Sequence, residues 1–235
     1  MANSRTRLPV IEGRLIRRYK RFLADVELPG GEIITAHCPN TGSLRGCKKE
    51  GSRVILQEAQ NPKRKYRYTW RAIRVGRTWV NVDTGRPNAV VAEAVADGQV
   101  KELTGYSSLR REVNYGTNSR IDILLESSDG SRCYVEVKST TLVDGSHAMF
   151  PDGVTERGRK HLLELRDMVK AGHRAVIFFC VGRDDVDSFG PADHIDPAYG
   201  KTLREVLPEG VEALVYSSHV TPQSMKLVAS LPLSL

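Results

Sequence analysis

The stretch RIDILLESSDGSRCYVEVK, Arg120 to Lys138, sets two apolar runs on either side of the turn-forming SSDGS (127–131) and plants three charges in them. Alternating residues of a strand point to one face, so Glu136 and Lys138 share a face while Val135 and Val137 pack on the other. Asp122 stands near the head of the preceding strand, and the short turn brings the two strands side by side. Two carboxylates converging from neighbouring strands suit a hard divalent cation such as Mg²⁺ or Mn²⁺, which takes a few carboxylate oxygens and fills its shell with water and phosphate oxygens. Such an ion activates water and neutralises charge on a scissile phosphate, and a nearby lysine orients the water or meets developing charge. Asp122, thirteen residues, then Glu136-x-Lys138 is the PD-(D/E)XK arrangement of metal-dependent nucleases, with Ile121 where a proline often stands. The competing reading is a ladder of opposite charges across a sheet, worth about 0.2–1 kcal/mol per pair. The strands are too apolar for a solvated face, which favours the nuclease reading.

Outward from this hairpin, the order of elements suggests a mixed α/β sheet flanked by helices. NAVVAEAVADGQ (88–99) reads as a helix with Asn88 as N-cap and Gly98 as its stop. Strands are expected at about 109–115, 120–126 and 132–139. TERGRKHLLELRDMVKAG reads as a helix capped by Thr155, lined by Leu162, Leu165 and Val169, and ended by Gly172. RAVIFFCVG (174–182) is a continuous apolar run of the kind buried on both faces. A helix near 197–207 and a strand over 211–217 follow. On the first helix Glu93 is the candidate third metal ligand, beside Asp122 and Glu136. The later helix offers Arg157, Lys160 and His161 toward phosphate; of these His161 reads as a partly buried polar residue rather than a general base.

Upstream of residue 84 the texture changes. Residues 1–83 carry 18 Lys and Arg against 7 Asp and Glu, a surplus of +11, while residues 84–235 carry 17 against 21. That asymmetry points to a polyanion-binding module joined to a mildly acidic domain, with the joint at DTGRPN (83–88) and domains at 1–83 and 84–235. The segments 14–28, 32–38, 52–59, 66–75 and 78–82 read as about five strands, with Pro29-Gly30-Gly31 as a hairpin turn. A small barrel of the OB or SH3 type has this signature. Cations and aromatics interleave in RRYKRF (17–22) and KRKYRYTWR (63–71). Arg17, Arg18, Lys20, Lys63, Arg64, Lys65, Arg67 and Arg71 are candidate phosphate contacts. Tyr66 and Trp70 are candidate stacking platforms, against the alternative that such aromatics form the barrel core. The polar segment HCPNTGSLRG (37–46) is either a phosphate-contacting loop or a tight connection.

Cys38, Cys47, Cys133 and Cys180 form no C-x-x-C pair and read as reduced thiols. No apolar run approaches the ~20 residues of a membrane helix, and the N-terminal stretch carries no signal-peptide segment, so the expected compartment is the cytoplasm.

The segments RYKRFLADV, HCPNTGS, KRKYRYTW, GYSSLRREVNYGTNSRID, YVEVKSTTL, FPDGVTERGRKHLLEL, AVIFF and SFGPADHIDPAYG together resemble the sugar fermentation stimulation protein A family, over almost the whole chain. The resemblance implies an N-terminal OB-fold and a C-terminal PD-(D/E)XK nuclease-like domain. It also implies largely sequence-independent DNA binding and a regulatory part in maltose or sugar utilisation. Asp122, Glu136 and Lys138 fall on the nuclease-like positions. Two functions follow as expectations: a DNA-binding protein, with RNA as the other polymer, that cuts phosphodiester bonds using Mg²⁺ or Mn²⁺; or a non-catalytic DNA-binding regulator. No helix-turn-helix pattern is evident, which argues for backbone binding over operator reading.

Overall fold

A computed structural model describes residues 9–59, 61, 63–115 and 119–235. Its first part is all strand: β1 (Val10–Tyr19), β2 (Leu23–Glu27), β3 (Ile33–His37), β4 (Arg53–Glu58), β5 (Tyr68–Val75) and β6 (Thr78–Asn81). They pair in the order β3-β2-β1-β4-β5-β6, and a parallel contact of His37 with Thr69 joins β3 to β5 and closes the barrel. Leu15, Val26, Val54, Leu56, Trp70, Ile73 and Val80 fill it. Gly13 lets β1 and β2 approach, since a Cβ there would lie 2.5 Å from Val26 Cγ1 and 2.8 Å from Glu27 O.

The expected single strand over 14–28 is instead a hairpin, β1 to β2, turning through Lys20-Arg21-Phe22. Lys20 (φ 48°) and Arg21 (φ 63°) both occupy the left-handed region, where a non-glycine residue is strained. The Pro29-Gly30-Gly31 turn forms as expected, with Gly30 and Gly31 at positive φ.

The second part begins with α1 (Arg86–Ala96) and continues through β7 (Ser108–Tyr115), β8 (Ser119–Glu126), β9 (Arg132–Thr140), β10 (Leu142–Asp144) and β11 (His147–Phe150). Then come α2 (Glu156–Lys170), β12 (Arg174–Val181), β13 (Ser188–Pro191), α3 (Pro197–Val206), β14 (Glu212–Val220) and β15 (Met225–Ser230). The main sheet runs β15-β14-β12-β9-β8-β7, parallel through β9, β12 and β14 and antiparallel at both margins. A small sheet, β10-β11-β13, was not foreseen; its strands are three and four residues long.

Burial follows the expected two-faced pattern. On β12, Val176, Phe178 and Cys180 pack with Val90, Val91 and Val95 of α1. The intervening Ala175, Ile177, Phe179 and Val181 pack with Leu162 and Leu165 of α2 and Leu203 of α3. Thr155 caps α2 as read from sequence, its Oγ1 accepting from Gly158 N at 3.0 Å, and Gly172 beyond its end takes φ 84°. For α1 the cap differs: the helix starts at Arg86 with a proline in its first turn, so Asn88 stands inside the helix. All four cysteines are buried and free. Among the described residues, no helix is long and apolar enough to cross a membrane.

Barrel and sheet share a core. Ile55, Ala72 and Trp79 belong to the same buried cluster as α1, Val220 and Met225. Asn81 N donates to Gly182 O at 2.8 Å. Beside this seam Ser43 Oγ donates to Asp152 O at 2.6 Å and Leu44 N donates to Asp152 Oδ2 at 3.0 Å. Gly42 is required there, because a Cβ would lie 2.7 Å from Asp152 Oδ1.

A candidate active site between barrel and sheet

Strand alternation in β9 sends Cys133, Val135 and Val137 to the α1 side, which leaves Glu136 and Lys138 on the α2 side. The β8–β9 ladder runs inward from Glu126–Arg132 and stops at Ile123–Val135. One step further stands Asp122, and its side chain takes over from the backbone: Oδ2 accepts the Val137 N–H at 2.8 Å. The phase of β8 shifts at the same point. Ile123 packs with the α1 cluster, yet Ile121, two residues back, packs with the α2 cluster. Across the β7–β8 pair Glu112 has φ 55°. The second Asp122 oxygen accepts from Asn88 Nδ2 at 2.5 Å, so the start of α1 is tied to this kink.

Glu136 is 3% exposed. Its Oε1 is contacted by Lys138 Nζ at 2.7 Å and by His161 Nδ1 from the first turns of α2. Lys138 Nζ also lies 3.0 Å from His161 Nδ1. Arg157, one turn earlier, donates from Nε to His161 Nε2 at 3.3 Å, which leaves Nδ1–H for Glu136. Glu136 Oε2 is buried with no hydrogen-bond partner among the described residues.

The two carboxyl groups behave oppositely. Burial, helped by the nearby Glu136 charge, pushes Asp122 up to about 7 against the opposing pull of the Val137 N–H and Lys138. Burial alone would raise Glu136 too, but the His161 hydrogen bond and the Lys138 charge outweigh it and hold that carboxyl below its ordinary range. The Tyr115 phenol is pushed far up by burial and by the carboxylates of Glu136, Glu164 and Asp122 around it.

Above these groups lies a cleft of about 790 Å³. Its floor is Asp122, Glu136, Val137 and Lys138; one wall is Phe150–Thr155 with Arg157 and His161; the other is the barrel's Arg21 and Asn40–Ser43. The donor set fits a divalent cation in part. Two carboxylates of neighbouring strands and the orphaned Glu136 Oε2 would serve a hard ion. Among the described residues, however, no group of three or more His, Cys, Asp and Glu side chains is arranged to hold one.

Two family models match consecutive parts of the chain: the SfsA N-terminal OB domain over residues 16–82, and the sugar fermentation stimulation protein RE domain over residues 85–224. The chain belongs to the sugar fermentation stimulation protein family. It is 53% identical over 224 residues to a sugar fermentation stimulation protein homolog of Geobacter sulfurreducens, covering 95% of this chain and 96% of that one. The Geobacter metallireducens homolog is 54% identical over 228 residues, covering 97% and 98%. Among solved structures the chain is similar to Pyrococcus furiosus SfsA in complex with Ca²⁺, at TM-score 0.88 and 28% identity over 97% of this chain and 96% of that one. The mixed α/β architecture, an OB barrel followed by a nuclease-like sheet, is therefore the one this family shares.

Within this chain, Asp122, Glu136, Lys138, His161 and Arg157 meet at the cleft. Glu93 does not: it lies on an exposed position of α1, more than one turn past Asn88, and is absent from the cleft lining. The helix contributes Asn88 instead, a residue that the sequence reading assigned to the cap. Lys160 pairs with Glu164 at 3.5 Å, outside the cleft. Trp70 is corrected outright. It is fully buried and donates Nε1–H to Ala72 O at 2.9 Å, so it cannot stack on a base. Tyr66 lies before the start of β5 rather than on its face. Arg18 has a structural part: its Nη2 donates to the carbonyls of Arg21, Asn40 and Gly42 at 2.6–2.8 Å, bracing two loops. Arg71 is half-buried against Asp83 and Gln57, and burial lowers it to about 10. Arg17 and Arg67 are exposed but paired with Asp25 and Glu58. Lys20, Lys63, Arg64 and Lys65 are exposed on the barrel surface.

Proposed function

We propose that this protein binds DNA through its basic N-terminal domain, residues 1–83, and hydrolyses phosphodiester bonds in the nuclease-like domain, residues 84–235, with Mg²⁺ or Mn²⁺. One observation carries the reading: Asp122 and Glu136 stand on the adjacent strands β8 and β9, beside Lys138 and His161, in a cleft whose far wall belongs to the cationic barrel. Asp122 and Glu136 would hold the ion, and the Pyrococcus furiosus relative was solved with Ca²⁺. When bound, a divalent cation supplies charge neutralisation at a phosphate and acidifies coordinated water. The protein's own part is positioning. Lys138 Nζ, held 2.7 Å from Glu136 Oε1, is aimed to meet negative charge developing on a phosphate oxygen. Arg157 orients His161, which in turn fixes the Glu136 carboxylate. Phosphate contacts by exposed lysines would bind backbone without regard to sequence.

The test is incubation of the purified protein with single- and double-stranded DNA and RNA, in Mg²⁺, Mn²⁺ or EDTA. Cleavage that needs the cation and disappears in Glu136→Gln supports the reading. No cleavage of any substrate, or cleavage that survives Glu136→Gln, overturns it.

A second reading, a non-catalytic DNA-binding regulator of sugar metabolism, is favoured by one feature. Both Asp122 oxygens and Glu136 Oε1 are already satisfied by protein groups. It requires that Glu136→Gln leave the cellular phenotype unchanged while charge reversal at Lys63, Arg64 and Lys65 abolishes it.

A further inference from the structure

The turn joining β1 to β2 is unusual in its residue choice. Hairpin turns that need positive φ at consecutive residues favour Asn-Gly or Gly-Gly, which adopt it without strain. Here the two residues are Lys20 and Arg21, at φ 48° and 63°. Strain of this kind persists only where the surroundings enforce it, and it gathers at sites of function. The enforcement is visible. Arg18 Nη2 holds the Arg21 carbonyl at 2.6 Å and the Asn40 and Gly42 carbonyls at 2.8 Å. Cys38 N holds the Phe22 carbonyl at 2.8 Å. The turn and the Asn40–Ser43 loop are thus one braced unit, and that loop is latched to Asp152 on the opposite wall. Arg21 lines the cleft over Asp122 and Glu136. Phe22, the next residue, leaves 44% of its surface exposed, one of the few large apolar side chains among the described residues to do so.

The cleft is also modest in volume. Its volume of about 790 Å³ is that of a small-molecule pocket, ~300–1,000 Å³. That is room for a nucleotide or two beside the carboxylates. The Ser43–Asp152 latch fixes the gap between the walls.

We propose that Lys20-Arg21-Phe22 is a strand-holding finger. Arg21 takes a backbone phosphate inside the cleft and the exposed Phe22, next along the turn, stacks on an unpaired base of the same strand, so the substrate class of this site is an unpaired nucleic-acid strand. The proposal rests on the nuclease reading above and names its substrate. Arg21 binds substrate here, away from the groups at the carboxylates.

The experiment is equilibrium binding of a fluorescent single-stranded 12-mer, and of the blunt duplex of the same sequence, across a salt series in EDTA or Ca²⁺. The single strand binds at least tenfold more tightly than the duplex. Arg21→Ala weakens single-strand binding about tenfold and flattens the log–log salt slope by ~0.7, as expected when one phosphate of a single strand is released. Phe22→Ala weakens it by a similar factor with the slope unchanged, as removal of a stacked base requires. Arg21→Lys restores most of the slope. The double variant Lys20→Asn/Arg21→Gly separates function from folding, because Asn-Gly relaxes the turn: its Tm rises while its binding falls. Wild-type binding by Arg21→Ala or by the double variant overturns the proposal, as does a Phe22→Ala protein that binds normally or a duplex bound as tightly as the strand. If the wild-type protein cuts DNA and Arg21→Ala cuts equally well, this inference alone fails. If the wild-type protein binds no nucleic acid, the nuclease reading fails with it.

Discussion

The carboxylate of Asp122 caps the main-chain N–H of Val137 at 2.8 Å, in the place where the β8–β9 ladder has ended. One side chain therefore finishes a sheet and forms half of the acidic pair on the cleft floor. Its neighbours pull its charge in two directions, burial and Glu136 against the Val137 N–H and Lys138.

With Asp122 raised to about 7 by burial, the folded state holds a proton that the unfolded chain releases near pH 4. Stability from this group is present at low pH and falls as pH rises from about 4 through 7. Asp122→Asn removes the titration. Urea unfolding at pH 5 and pH 8 should show the Asn variant gaining about 2–3 kcal/mol on the wild type between them. An unchanged difference would mean that Asp122 is not protonated in the fold.

Asn88 donates from Nδ2 to Asp122 Oδ1 at 2.5 Å. If the pair holds a divalent cation, Asn88→Ala loosens one donor and weakens Mn²⁺ binding about tenfold, the lower end of what a residue behind a ligand contributes. Calorimetry with Mn²⁺ measures it. Glu93→Ala, on the exposed side of the same helix, leaves Mn²⁺ affinity unchanged.

Charge reversal at Lys63, Arg64 and Lys65, exposed on the barrel, should weaken DNA binding uniformly across sequences. The magnitude of the log–log salt slope falls by about one for each phosphate no longer neutralised. Reversal of Arg17, whose guanidinium is engaged by Asp25 at 2.8 Å, changes the slope less. Fluorescence anisotropy between 50 and 200 mM salt distinguishes the two surfaces.

Trp70 fills the barrel with no exposed surface. Trp70→Ala should cost about 3–5 kcal/mol in urea unfolding. Trp70→Phe, which gives up less volume along with the Nε1–H bond to Ala72 O, should fold and bind DNA with wild-type affinity. Weak binding by a folded Trp70→Phe protein would restore the stacking role.

Much of this architecture was legible because hydrophobic period and caps agreed. The run Arg174–Val181 is buried on both faces as its unbroken apolar character requires, and Thr155 with Gly172 brackets α2. The Asp122, Glu136 and Lys138 grouping was readable from the two-residue period of β9 and the short SSDGS turn. What failed did so for physical reasons. The β1–β2 turn contains no Gly, Pro, Asn or Asp, since strained cations occupy it, so no turn signal marked 14–28. Tyr66, Tyr68 and Trp70 alternate on paper, but β5 begins only at Tyr68 and its ladder with β4 shifts register between Ile55 and Leu56. The interleaved basic residues disguised a core position. Asn88 was hidden by a helix that starts two residues earlier, at Arg86, where Pro87 in its first turn was the available clue. Asp152 and Ser43 meet across 109 residues of chain, a separation at which single-sequence patterns carry no information.

The seam of Ile55, Ala72 and Trp79 has a practical consequence. These three barrel side chains are packed into the core of the sheet domain. A fragment cut at residue 83 would expose them, and its remainder would lose the counterpart surface. The two halves should therefore melt in a single transition, and neither is a portable cassette for fusion to another protein. The molecule is closer to a fixed jaw than to two tools on a string, so whatever polymer enters must thread a gap set when the chain folds.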